Sequence, residues 1–342
     1  MLRDTFSDLW KFSAVPPPWH HAVRALVSIA GPAVVGLVAG EPLFGVIAAV
    51  TALNTYIDDL GGSLRHRAFT MSATVFCVIA GGVAGAVIPE GHWLPVVAIF
   101  LAGLVAGFVH GSATALENVV RFGAITLVVA TTLQLEDPRL ILVALAGGAY
   151  AICVMLADYA IRRANPPSTG GSWREGWARL RARQTVGWRF AFIYAAVGAV
   201  GLLLAEAVGA HRAGWVTLTT LLVMRPDGAE SLRFAVQRLV GTLAGVIAAV
   251  ALAATTQTPA FLMAYAAACA FLFPPAMAKH RWLGVAVVTL MIMLLLDIAL
   301  QGQGDPRDLI LARFYDTVFG CVLGVLGTLV AFPEIWRRPR LE

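Results

Sequence analysis

Charge is what this sequence has least of. Only 13% of its 342 residues are Asp, Glu, Lys or Arg, against 59% hydrophobic, where soluble domains carry roughly a quarter charged. Mean hydropathy is +0.78, which excludes an ordinary water-soluble globule. Cysteine is scarce too. Cys77, Cys153, Cys269 and Cys321 sit in apolar runs with no Cys-x-x-Cys pairing and no histidine at ligand spacing, so they read as small packing residues and no metal site is expected. Gly-x-Ser-x-Gly, His-Glu-x-x-His and phosphate-cradling glycine loops are missing, so neither an enzyme nor a cofactor is indicated. The longest polar stretch, 163–187, is too short for a nucleotide-driven motor. Met1–Lys11 carries Asp4 and Asp8 and no apolar core, so no cleavable signal peptide is expected.

What is present is a series of uncharged runs, among them 68–88, 140–157 and 239–278, the last broken at Thr255–Pro259. A helix needs about 20 apolar residues to cross a bilayer. Spans are expected near 22–40, 42–57, 66–88, 93–111, 119–135 and 139–161, then near 188–208, 213–225, 230–254, 259–278, 281–300 and 307–332. The spans at 42–57 and 213–225 are short. With the N-terminus inside, 21 of the 25 basic residues fall on the cytoplasmic side, and only Arg139, Arg212 and Arg307 fall outside. The positive-inside rule therefore places both termini and the central linker in the cytoplasm. The net charge of +5 follows from that rule. No basic stripe carries interleaved aromatics, which argues against a nucleic-acid partner.

The chain also repeats itself at an offset of 168. Asp137-Pro138-Arg139 returns as Asp305-Pro306-Arg307, Ser63-Leu64-Arg65 as Ser231-Leu232-Arg233, Thr74 as Thr242 and Cys153 as Cys321. Six spans per half is an even number, so the halves run parallel about an axis along the membrane normal. The expectation is an all-α polytopic membrane protein of about twelve transmembrane helices in two parallel six-helix repeats. Residues 1–18 form an interfacial segment, 19–162 the first bundle, 163–187 an amphipathic linker, 188–333 the second bundle and 334–342 a tail. In the linker, Ser172-Trp173-Arg174-Glu175 is a capping box, opening a helix expected to lie on the headgroups. Gly81/Gly85, Gly103/Gly107, Gly241/Gly245 and Gly320/Gly324 are small-residue pairs for close helix contact.

Charges at membrane depth mark functional candidates, because they are costly there. Arg238 opens the long uncharged run, in a helix capped by Asp227. Arg313 and Asp316 share a face of the last span, Arg121 begins the fifth and Asp297 ends the eleventh. Arginine's planar fork suits carboxylates, and a buried Asp297 or Asp316 can exchange protons. Snorkelling anchors and a structural Arg313–Asp316 pair are the plainer alternatives.

Residues 214–226, Gly214-Trp215-Val216-Thr217-Leu218-Thr219-Thr220-Leu221-Leu222-Val223-Met224-Arg225-Pro226, followed by Arg238-Leu239-Val240-Gly241-Thr242, resemble the signature of the fusaric acid resistance and aromatic acid exporter superfamily. Arg313-Phe314-Tyr315-Asp316-Thr317 resembles its closing helix. In the first half Leu145, Gly148 and Ala149 face Arg313, Asp316 and Thr317, and Thr70 or Met71 faces Arg238. The resemblance implies a bacterial inner-membrane exporter of aromatic carboxylic acids, in a compact form without a large cytosolic domain. It leaves pairing into homo-oligomers and a periplasmic adaptor partner open. The expected substrate contacts are Arg238, Arg313, Arg121, Trp215, Tyr315 and Thr242, with Asp316 and Asp297 for protons and a path between the repeats. Export against proton entry, a passive organic-anion channel of the malate-channel type and a non-transporting envelope-assembly component are the readings that these features allow.

Overall fold

A computed structural model describes residues 11–89, 93–133, 137–209, 213–225, 227–253, 255–256, 258–299 and 306–333. Side chains within 306–311, and those of Leu133, Gly228, Ala229, Ala253 and Arg313, lie outside the described residues. Thirteen helices account for the regular structure among them. The first half comprises α1 (Trp19–Val38), α2 (Pro42–Ile57), α3 (Leu64–Ala86), α4 (Leu94–Val109), α5 (Thr114–Leu133) and α6 (Arg139–Arg162). After the linker helix α7 (Trp173–Arg181) come α8 (Trp188–Ala207), α9 (Ala213–Val223), α10 (Gly228–Ala253), α11 (Pro259–Lys279), α12 (Arg281–Ala299) and α13 (Pro306–Ala331). Nine helices among the described residues are long and apolar enough to cross a membrane. The shorter apolar ones are α2, α4 and α9, of which α4 is shorter than its composition suggests. The protein is a multi-pass all-helical membrane protein.

Helix pairing repeats between the halves. In the first, α1 packs on α2 and α6, α2 on α3 and α6, and α5 on α3 and α4. Replacing each helix by its counterpart seven places on gives the pairs of the second half, α8 with α9 and α13, α9 with α10 and α13, and α12 with α10 and α11. The contacts between halves obey the same exchange, since α4 lies on α8 as α11 lies on α1, and α5 on α9 as α12 on α2. A fold whose helix contacts map onto themselves when its halves are swapped is an internal repeat about a pseudo-two-fold axis.

The two largest apolar cores lie between the halves. One joins Ile29 and Leu53 of α1 and α2 to Leu262, Phe273 and Leu294 of α11 and α12. The other joins Ile99 and Val128 of α4 and α5 to Phe190, Leu202 and Leu221 of α8 and α9. Of the small-residue pairs, Gly103/Gly107 works here and the other three work within a half. A Cβ on Gly107 would come within 2.8 Å of the Ala191 Cα, so α4 and α8 touch backbone to backbone. Gly81 and Gly85 meet α5, Gly241 and Gly245 meet α12, and Gly320 and Gly324 meet α9 in the same way.

The linker departs from the headgroup placement that its pattern suggests. Its capping box forms, with the Glu175 N–H donating to Ser172 Oγ at 3.2 Å and the Ser172 N–H to Glu175 Oε2 at 2.9 Å. The helix then docks on protein. Gly176 is buried against Ala113 and Leu116, Trp173 meets Phe69 edge-on at 5.1 Å, and Trp177 is left outward. Of the N-terminal segment, residues 1–10 lie outside the described residues; beyond them the Ser13 N–H donates to the Lys279 carbonyl at 3.0 Å, and the Lys279 ammonium donates to Ser13 and Val15.

Candidate functional site

Buried polar side chains concentrate at the ends of α2 and α9, two of the three shorter apolar helices, and on the helices around them. In the second half Asp227 Oδ1 accepts the Glu230 N–H at 3.0 Å, capping α10 as expected. Arg238 lies farther along that helix. Ile247, 60% exposed, follows it by about two and a half turns, so Arg238 looks away from the outer surface. Its neighbours on that inner face are Ala235, packed with Val223 and Cys321, and the fully buried Thr242. The Nε of Arg238 is sealed from solvent and meets no hydrogen-bond acceptor. Among the described residues no carboxylate lies within ion-pair distance of it.

Arg225, in the turn after α9, repeats this condition. Its guanidinium stacks over the Phe234 ring at 4.6 Å, with Arg281 on the same ring at 5.2 Å, and its Nε is also sealed and unmet. Its backbone N–H donates to Ser231 Oγ at 2.8 Å, and Ser231 is held by the Thr328 hydroxyl at 3.0 Å. Phe234 and Arg238 are one turn apart, so Arg225 and Arg238 occupy successive levels along α10.

Arg121 comes from the other half. It sits on α5 with Glu117 one turn before it, 3.6 Å away. Glu117 also accepts the Gly111 N–H at 2.9 Å and lies 3.8 Å from the His110 ring. The charges of Arg121 and Arg225 act on one another and on His110 and Tyr194. Burial, then Arg121 and Arg225, push the His110 pKa down to about 3, so this histidine stays neutral. The linker closes over the junction, where the Val186 N–H bonds the His110 carbonyl at 3.3 Å and Arg179 bonds that of Ser112 at 2.9 Å.

In the first half the corresponding level is occupied differently. Thr70 takes the place of Arg238, and its hydroxyl accepts the Trp173 indole N–H at 3.0 Å. Arg67 is fully buried, gripped by Asp59 through Nε and NH2 at 2.7 Å each. Arg24 reaches the same carboxylate at 2.7 Å, with Asp158 at 3.7 Å and the Tyr56 ring at 5.1 Å. These cations are neutralised where Arg238 and Arg225 are not.

The remaining expected residues are dispersed. Asp316 is buried, 6% exposed, on the side of α13 that faces α9 through Gly320. Trp215 is half-buried at the start of α9, and Asp297 half-buried in α12. Tyr315 is 67% exposed, in line with the exposed Val322 and Leu326, so it does not reach the Arg238 face. The side chain of Arg313 lies outside the described residues. Arg225 and Asp58 were not singled out by sequence reasoning, although Arg225 stands within the quoted motif.

Residues 197–327, which hold Arg225, Arg238 and Asp316, match the family model described as fusaric acid resistance protein-like. Through these residues the chain is similar to the fusaric acid resistance protein-like family. That similarity, on a multi-pass helical protein, points to membrane transport. The family match spans the half with unpaired arginines and stops short of Arg121 and the Asp59 network. No curated protein and no solved structure matches the chain.

Proposed function

We propose that this protein is a bacterial inner-membrane transporter that carries small organic anions, aromatic carboxylates foremost, out of the cell with protons coupled to the movement and both termini cytoplasmic. The observation that carries the reading is the pair Arg225 and Arg238, each with a sealed Nε that no acceptor reaches. A half-buried cation with a sealed, unmet Nε is costly unless an anion neutralises it, and a guanidinium fork matches a carboxylate. The family description names an acid, which agrees with that chemistry. The anion enters at the junction of the halves, beside Arg121 and Arg225, and passes to the level of Arg238 and Thr242. Trp215 and Arg313 stand on the outer side of that level, and Asp316 and Asp297 are acids within the spans that can take part in proton exchange.

The test is uptake of labelled benzoate and hydroxybenzoates into proteoliposomes, with and without a pH gradient, beside Arg238→Met. Saturable accumulation that the gradient drives and the substitution abolishes supports the transporter. Flux that only follows the anion's own gradient converts the reading to a channel. No flux of any acid through folded protein ends it.

A further inference from the structure

Asp58 lies in the turn beyond α2, fully buried, at the junction between α2, α3 and α5. Its Oδ2 accepts the Thr74 hydroxyl at 2.5 Å, while Oδ1 is sealed from solvent with no hydrogen-bond partner. No cation lies within ion-pair distance of it among the described residues. The charged groups on the helices around it are engaged elsewhere. Arg24 of α1 and Arg67 of α3 are held by the neighbouring Asp59, with Asp158 of α6 beside Arg24. On α5, Asn118 is within reach, and Arg121 acts on Asp58 from a distance while Glu117 stands against it. On the linker, Glu175 is spent on the capping box.

The same pocket satisfies the protonated form. Thr74 Oγ1 is 3.1 Å from the Thr70 carbonyl. With a proton on Asp58, the carboxyl donates to Thr74 and the Thr74 hydroxyl turns its own hydrogen to Thr70. One hydroxyl rotation therefore serves both charge states, at a carboxylate that burial disfavours in its ionised form.

We propose that Asp58 is a proton-binding switch that controls anion loading: ionised, it repels an anion from the Arg121–Arg225 junction, and protonated, it admits one. The inference rests on the anion reading above. Burial pushes the Asp58 pKa up to about 7, with Thr74, Asn118 and Arg121 opposing the rise, so the switch works near neutrality. His110, held neutral beside the same arginines, does not titrate there. The sign follows from Coulomb's law. An anion beside Asp58 raises its proton affinity, and by reciprocity a proton on Asp58 raises the anion affinity by the same factor. The proton is thus a condition for loading the anion rather than a counter-ion exchanged for it. A carboxylic acid that enters neutral and dissociates inside releases the proton and the anion together, so the switch would open under the load that needs removing.

The test has two parts. Benzoate binding to the full-length protein in nanodiscs is measured from pH 8 to pH 6. Wild type should tighten about tenfold, the factor corresponding to roughly 1.4 kcal/mol of relieved repulsion, and Asp58→Asn should bind at the tight level throughout. Infrared spectroscopy of the unliganded protein should show a protonated-carboxyl band that titrates near neutrality and is missing in Asp58→Asn. If Asp58→Asn does not fold, Thr74→Val must shift that band's midpoint upward. Equal pH dependence in wild type and Asp58→Asn overturns the proposal, as does the absence of a titrating band. Absence of benzoate binding at any pH, with the band present, sinks the anion reading and the loading role but leaves Asp58 as a proton site.

Discussion

The indole N–H of Trp173 donates to the hydroxyl of Thr70 at 3.0 Å, and Thr70 stands 168 residues before Arg238. The linker helix therefore occupies, in the first half, the level at which the second half presents an unpaired guanidinium. Beneath it, the Thr74 hydroxyl stands between the Thr70 carbonyl and the Asp58 carboxylate. The pseudo-symmetric frame thus carries opposite chemistry in its halves, with a buried acid under a docked strap in one and arginines without a carboxylate partner in the other.

Removing that indole should release the strap. Trp173→Ala loses the bond to Thr70 and the edge contact with Phe69, together worth about 1–3 kcal/mol. Limited proteolysis in nanodiscs should cut within 163–172 several-fold faster than in wild type. Unchanged cleavage would mean that Gly176, seated on Ala113 and Leu116, holds the helix by itself.

Arg238 separates a functional cation from a structural one. A buried ion pair loses about 3–5 kcal/mol when one partner is removed, whereas an apolar replacement for unpaired charge is neutral or stabilising. Arg238→Met should leave the melting temperature unchanged or raised. The stabilisation by benzoate, about 2.7 kcal/mol at a hundred times the dissociation constant, should vanish. A large drop in melting temperature without ligand would instead place Arg238 in a structural network.

Asp59 should behave in the opposite way, because it joins two buried arginines. Asp59→Asn should cost about 3–5 kcal/mol by leaving Arg67 uncompensated and Arg24 with only Asp158 at 3.7 Å. Burial raises the Asp59 pKa, but the Arg67 hydrogen bonds and the charges of Arg24 and Arg67 outweigh it and hold the group below 3.8. A depressed carboxyl stabilises the fold above its unfolded pKa and loses that contribution as pH falls through the folded value. The stability gap between wild type and variant should therefore be constant above about pH 5 and close in stronger acid, as thermal unfolding in detergent would show.

How much of this was legible in the sequence depends on what decides each feature. The helices, the capping box of α7, the Asp227 cap of α10 and the small-residue pairs follow from local composition and spacing, which the structure retains. The repeat was legible because Ser63, Thr74, Asp137 and Cys153 recur. Rotation about a helix was not. Gly320 and Gly324 seat α13 on α9, and this turns Tyr315 outward beside Val322 and Leu326, although the motif sets it next to Asp316. Asp58 reads as an ordinary loop acid between two spans. Its burial comes from α3 and α5 closing around the end of α2, a tertiary event that leaves no local signature. Trp173 misled in the other direction: Phe69 and Thr70 cover it, and an amphipathic stripe does not say whether lipid or protein will do so.

Thr74 offers a graded test of the acid end of the network. Its hydroxyl donates to the ionised Asp58 at 2.5 Å, and that bond holds the Asp58 pKa lower than burial alone would place it. Thr74→Val keeps the shape and removes the donor. A hydrogen bond to a charged group contributes about 1.5–3 kcal/mol, and one pKa unit is about 1.4 kcal/mol. The neutral carboxyl loses a weaker partner at the same time, so the net rise should be about one unit. The folded protein already holds the Asp58 proton above the unfolded value, so its stability falls as pH rises from about 4 toward 7. In Thr74→Val that decline should extend to about pH 8, while Asp58→Asn should abolish it and be the more stable protein in mild alkali. Thermal unfolding of the three proteins between pH 5 and pH 9 reads both effects, and a variant profile that tracks wild type would place the titrating proton on another group.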